Sequence, residues 1–134
     1  MLFKPEKITS YDEINYRIFG MRMQREYEII SKGSVAEVSE YSVSFGNDRR
    51  TLERRVLCDN EMMIEILNVC GLMRWDGFSG NQPRGVLDGE MFTLSAIVND
   101  RRIIRAQGSQ NFPKNFPEFR REIDSILAEN NSIM

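Results

Sequence analysis

Two stretches of apolar–polar alternation, each doubling back at an Asn-Asp-Arg-Arg tetrapeptide (residues 47–50 and 99–102), commit this chain to a sheet built from hairpins. Successive side chains of a strand point to opposite faces, so a period of two marks a strand with one face buried. Residues 35–45 alternate and end with Tyr41, Val43 and Phe45 on one face. Gly46-Asn47-Asp48 then supplies the residue types that best tolerate positive φ, and residues 49–57 return. A two- or four-residue loop sets Val43 opposite Leu52 and Tyr41 opposite Arg54. Residues 91–98 and 101–107 form the second hairpin around Asn99-Asp100. Residues 20–30 add a fifth strand, with Met21, Met23, Tyr27 and Ile29 facing away from Arg22, Gln24, Glu26 and Glu28; Lys32-Gly33 turns it.

Each hairpin is followed by a helical pattern. Asp59 or Asn60 caps a helix that stops near Gly71. It is apolar almost all round, with Glu61, Glu65 and Asn68 as its wet side, so it is expected to be heavily buried and to lie beside the second helix. That second helix starts at Asn115, read as a capping box with Glu118. Phe116, Phe119, Ile123, Ile126 and Leu127 make its apolar stripe, and Arg120 and Arg121 project to solvent. The expected fold class is α+β: an antiparallel, meandering sheet of about five strands with two helices packed on one face. Residues 1–134 form a single domain, and the strand–turn–strand–helix order of 41–72 and 91–128 allows an internal repeat.

Composition narrows the chemistry. A 134-residue chain that is 41% hydrophobic can build one core without disulfides or metal. The net charge of −2 gives no field that would draw the whole molecule to nucleic acid or an anionic membrane. Histidine is absent, which removes His-based acid–base catalysis, the Ser-His-Asp and Cys-His arrangements and His-ligated metals. Cys58 precedes a helix start, where the dipole with Arg54 and Arg55 would lower its pKa; Cys70 reads as inert core. A structural role is favoured for both. The first residues lack a signal-peptide pattern and the longest apolar stretch, 62–73, is too short to span a bilayer, so a soluble cytoplasmic chain without a membrane partner is expected.

Residues 74–90 change character: Gly77, Gly80, Gly85, Gly89 and Pro83 argue against regular structure, and so long a loop is often functional. The candidate binding residues are Arg74, Trp75, Asp76, Phe78 and Asp88 from this loop, with Asn111 from the 108–116 turn. Trp75 and Phe78 serve more readily as core plugs than as a ligand platform. Asp76, Asn81, Asp88 and Glu90 offer oxygens for a hard cation, and Asp76 with Asp88 or Glu90 offers an acid–base pair. Their spacing fits no EF-hand loop, and neither a metal nor a cofactor is expected. The arginine pairs 49–50, 54–55, 101–102 and 120–121 are a further candidate. With the hairpins side by side, Arg49, Arg50, Arg101 and Arg102 would cluster at one edge and take an anion. The neighbouring Asp48, Glu53, Asp100 and Glu122 favour solvated strand ends instead, and nucleic acid is not the expected partner.

Trp75-Asp76-Gly77-Phe78, then Val86-Leu87-Asp88-Gly89 with Phe92 and Leu94, then Gly108-Ser109-Gln110-Asn111-Phe112-Pro113-Lys114-Asn115-Phe116, carry a resemblance. Residues 74–127 resemble a C-terminal module of uncharacterised bacterial proteins with the pattern WxGF, DGxxWxL and GSNAxPxNF. Phe92 stands where a Trp is usual, and Gln110-Asn111 where Asn-Ala is usual. The resemblance implies a fold unit and no catalytic residue. The functional expectation is a non-enzymatic binding or interaction module for a protein or small ligand, using the 74–90 loop and the 108–116 turn. The alternatives are a small carboxylate enzyme using Asp76, Asp88 or Glu90, with or without a divalent cation, and an anion or nucleic-acid binder using the arginine pairs.

Overall fold

A computed structural model of the chain describes residues 6–20, 24–44, 46–80, 90–109 and 111–131, the side chains of 130 and 131 excepted. The elements are β1 (Tyr11–Phe19), β2 (Gln24–Lys32), β3 (Val35–Val43), β4 (Arg50–Asp59), α1 (Asn60–Cys70), a single 3-10 turn (Leu72–Trp75), β5 (Ser79–Gly80), β6 (Met91–Val98), β7 (Arg102–Ser109) and α2 (Phe116–Asn131). They form a seven-stranded mixed sheet in the order β4-β3-β2-β1-β6-β7-β5, with both helices packed against it. The sheet is therefore larger than the expected five strands and not wholly antiparallel, since the two-residue β5 runs parallel to β7.

The unexpected β1 occupies the middle of the sheet, bonded to β2 on one side and β6 on the other. Its alternation was there to be seen: Ile14, Tyr16 and Ile18 are buried, and Glu13, Asn15 and Arg17 face the other way. Both expected hairpins form, but β2 and β1 stand between them. The register of the first also differs. Tyr41 pairs with Leu52 and Val43 with Arg50, because Glu53 is an extra residue in β4 opposite the Glu40/Tyr41 step. Asp48 and, in the second turn, Asn99, Asp100 and Arg101 adopt positive φ.

Asp59 caps α1, its carboxylate accepting from the Met62 amide at 3.2 Å, and Gly71 ends it with φ 76°. Only one stripe of α1 is covered. Met63, Leu67 and Cys70 are buried, whereas Val69 is 74% exposed, so the helix is not enclosed all round as its composition suggests. On α2, Phe116, Phe119, Ile123 and Leu127 are fully buried and Arg121 is exposed, as the stripe predicts. Arg120 departs from it by turning back to Glu90 at 2.9 Å. Between helix and sheet lies a chain of ring contacts from Tyr27 through Tyr16 to Phe119, Phe116, Trp75 and Phe92. Asn115 does not act as a capping box. It adopts φ 71°, outside the extended region an N-cap requires, and its side-chain amide donates to the Cys70 carbonyl at 3.4 Å.

Candidate binding cleft

The left-handed Gly71 redirects the chain at the end of α1, and the following 3-10 turn sinks Leu72 and Trp75 into the core. Arg74, between them, is left outside. The Trp75 indole N–H donates to the Lys114 carbonyl at 3.0 Å, and its ring packs edge-on against Phe116 and Phe119. Asn115 ties the same turn to the end of α1. On the far side, Asn68 holds the N-terminal segment: its side chain accepts from the Ile8 amide and donates to the Ile8 carbonyl, both at 2.9 Å. Asn68 is thus a fastening residue and not part of a wet face.

These links enclose a cleft of about 510 Å³. Leu67, Leu72, Trp75, Phe78 and Pro113 give it an apolar lining, and Lys7, Arg74 and Lys114 stand on it. All three cations are exposed, and none forms an ion pair among the described residues. Glu6, the carboxylate on this cleft, is bound to Arg102.

The structure therefore brings together Arg74, Trp75 and Phe78 with the 113–115 turn. Trp75, 2% exposed, lines the cleft but is chiefly a core residue. Asp76 points elsewhere, its carboxylate accepting from the Arg105 amide at 3.1 Å while the Gly77 amide donates to the Arg105 carbonyl at 2.8 Å. Asn111 crosses two glycines: a Cβ on Gly108 would lie 2.1 Å from the Asn111 carbonyl oxygen. Glu90 is engaged by Arg120. Asp88 and Asn81 lie outside the described residues, among which no group of three His, Cys, Asp or Glu side chains could hold a metal ion.

The expected cluster of Arg49, Arg50, Arg101 and Arg102 at one edge does not form. Arg50 sits at the end of the sheet where β1 finishes, and Arg102 where β1 begins. Eight steps along β1 separate those ends, roughly 27 Å. Arg50, Arg54, Arg55, Arg102, Arg120 and Arg121 all make ion pairs, to acids distant in sequence for every one but Arg121. Neither thiol is activated: burial, then the Asp59 charge, pushes Cys58 up, and burial, then Glu122 and Glu118, pushes Cys70 up.

No protein-family model, curated protein or solved structure matches the chain. The likeness of residues 74–127 to the bacterial module rests on its motifs alone. Among the described residues no helix is long and apolar enough to cross a membrane.

A second concavity lies on the sheet face that carries no helix. It is a groove of about 840 Å³ running from Arg50 across β2, β1 and β6 to β7 and residues 77–79, with Phe78 lining both it and the cleft. Its floor includes Glu13, Asn15 and Arg17, residues that no expectation singled out because β1 itself was not anticipated. The outward half of the β1 alternation is the signal that would have found them.

Proposed function

We propose that the chain is a non-enzymatic binding module that holds an anionic ligand with an apolar body in the cleft between the end of α1 and the 113–115 turn. One observation carries this reading: Lys7, Arg74 and Lys114 stand without ion pairs among the described residues around an apolar floor. Everywhere else along the charged surface, most arginines are already matched to carboxylates, so these three leave a local excess of positive charge. The volume falls within the usual range for small-molecule sites, which join an apolar lining to a few placed polar groups. The Arg74 fork suits a carboxylate, sulfonate or phosphate head, and the Leu72–Phe78 side suits an aliphatic or aromatic body.

The test is a titration with two fluorescent dyes of similar shape, anionic 1-anilinonaphthalene-8-sulfonate and neutral N-phenyl-1-naphthylamine. The sulfonate should bind more tightly, and should weaken about tenfold, or 1.4 kcal/mol, in the doubly substituted Arg74→Ala, Lys114→Ala protein. Circular dichroism confirms that the variant is folded. Equal binding of the two dyes, or an unchanged sulfonate affinity in the variant, would sink the reading.

A further inference from the structure

From the open face of the sheet we infer a second binding site, which shares Phe78 but none of its charged groups with the cleft, that takes a short peptide with free amino and carboxyl ends. Six charged side chains line the groove there, three acidic (Glu13, Glu26, Glu28) and three basic (Arg17, Arg50, Arg105). Four of the six consume one another: Arg17 binds Glu26, and Arg50 reaches Glu26 and Glu28, each at 3.4 Å. That leaves Glu13 and Arg105 without an ion pair among the described residues, one charge of each sign. Both also line a smaller hollow of about 110 Å³ above Ser95, walled by Ile97 and Ile103.

Sheet register fixes their separation. Glu13 lies opposite Ile97 and Ile97 opposite Ile103, and Arg105 is two residues further along β7. Two strand spacings and one two-residue step put the Cα atoms roughly 12 Å apart. An extended tripeptide spans about 10 Å, so its ammonium can meet Glu13 while its carboxylate takes the Arg105 fork. Beside the line that joins the two charges, Asn15 and Ser95 present amide and hydroxyl groups that match a peptide backbone as water does. A ligand carrying one charge alone would leave the other group unmatched. A zwitterion uses both.

Isothermal titration calorimetry with trialanine provides the test, alongside trialanine blocked at the N-terminus by acetylation, blocked at the C-terminus by amidation, and blocked at both ends. The free peptide should bind, and each block should weaken it about tenfold. Glu13→Gln should abolish the preference for a free amino end only, and Arg105→Gln the preference for a free carboxyl end only. Arg105 is exposed and Glu13 half-buried on the open face, and glutamine keeps the bulk of Glu13, so these variants should melt close to the parent. No binding of trialanine, equal binding of the doubly blocked peptide, or loss of both preferences in either variant would overturn the proposal. The Arg74→Ala, Lys114→Ala protein should bind trialanine as the parent does, which keeps this outcome separate from that of the dye titration.

Discussion

Arg54 meets Glu40 across the β3–β4 ladder, its Nε donating to Oε1 at 2.7 Å on the side of the sheet that faces α2. The Tyr27 hydroxyl donates to the other carboxylate oxygen at 3.0 Å, and Arg54 approaches Asp124 of α2 at 3.8 Å. Glu40, a residue 7% exposed, thus has a donor on each carboxylate oxygen. Burial alone would raise its pKa, but the hydrogen bonds from Arg54 and Tyr27 and the Arg54 charge outweigh burial and hold it below the usual carboxylate range.

Because the folded-state pKa of Glu40 is lowered, its contribution is complete at neutral pH and is lost as pH falls through the acid range. Asp124 has the opposite sign: burial raises its pKa, so its charge opposes folding above the ordinary carboxylate range and relents as pH falls. Glu40→Gln should cost about 1.5–3 kcal/mol at pH 7 and flatten the acid limb of the stability curve. Asp124→Asn should steepen that limb. Urea unfolding at half-unit intervals from pH 3 to pH 7 measures both slopes, and a parallel shift of either curve would contradict the assignment.

The aromatic layer should govern stability. Phe119→Ala, at a fully buried position in contact with Tyr16 and Trp75, should cost about 3–5 kcal/mol. Arg121→Ala, at an exposed position whose ion pair among the described residues is to Glu118 one turn away, should stay within about 0.5 kcal/mol. Denaturant midpoints give the order.

Asn115 separates two readings of the same residue. At an N-cap, aspartate serves as well as asparagine. Here the side-chain N–H donates to the Cys70 carbonyl, so a carboxylate in its place would face an oxygen at the negative end of α1. Asn115→Asp should therefore lower Tm, by an amount equivalent to about 1–2 kcal/mol. An unchanged Tm would restore the capping box.

The elements legible in the sequence are those whose information is local. Alternation disclosed both hairpins, the Asp59 cap and Gly71 bounded α1, and the 3.6-residue stripe assigned Phe116 and Phe119 to the core. What escaped depends on partners distant in the chain. The register of β4 turned on Glu53 being extra, which only the opposing strand reveals. Asn68 and Asn115 looked like solvated or capping residues until Ile8 and Cys70 were in place beside them. Arg74, Trp75 and Phe78, candidates taken from one loop, line the same cleft, whereas Lys7 and Lys114, 107 residues apart in sequence, come to it only through the fold.

Gly108 carries a close backbone crossing. A methyl group there would meet the Asn111 carbonyl oxygen at 2.1 Å and the Phe92 ring at 2.7 Å, so either the turn or the aromatic layer must move. Gly108→Ala should cost about 1–3 kcal/mol, whereas an alanine at an open surface position costs almost nothing. Thermal melts decide it, and a Tm equal to that of the parent would show that the 111 turn yields freely.

Asp76 has a consequence for how the molecule meets copies of itself. An outermost strand offers a row of unused amides and carbonyls on which a foreign strand can assemble, and β7 would be such a strand but for the segment that carries the two-residue β5. On β7 that row is filled from within: the Arg105 amide by the Asp76 carboxylate, the Arg105 carbonyl by the Gly77 amide, and the Gln107 amide by the Phe78 carbonyl. The short segment 76–80 thus stops the sheet from being extended along Arg105 to Gln107 by a neighbour in a crowded solution, as a hem stops cloth from fraying.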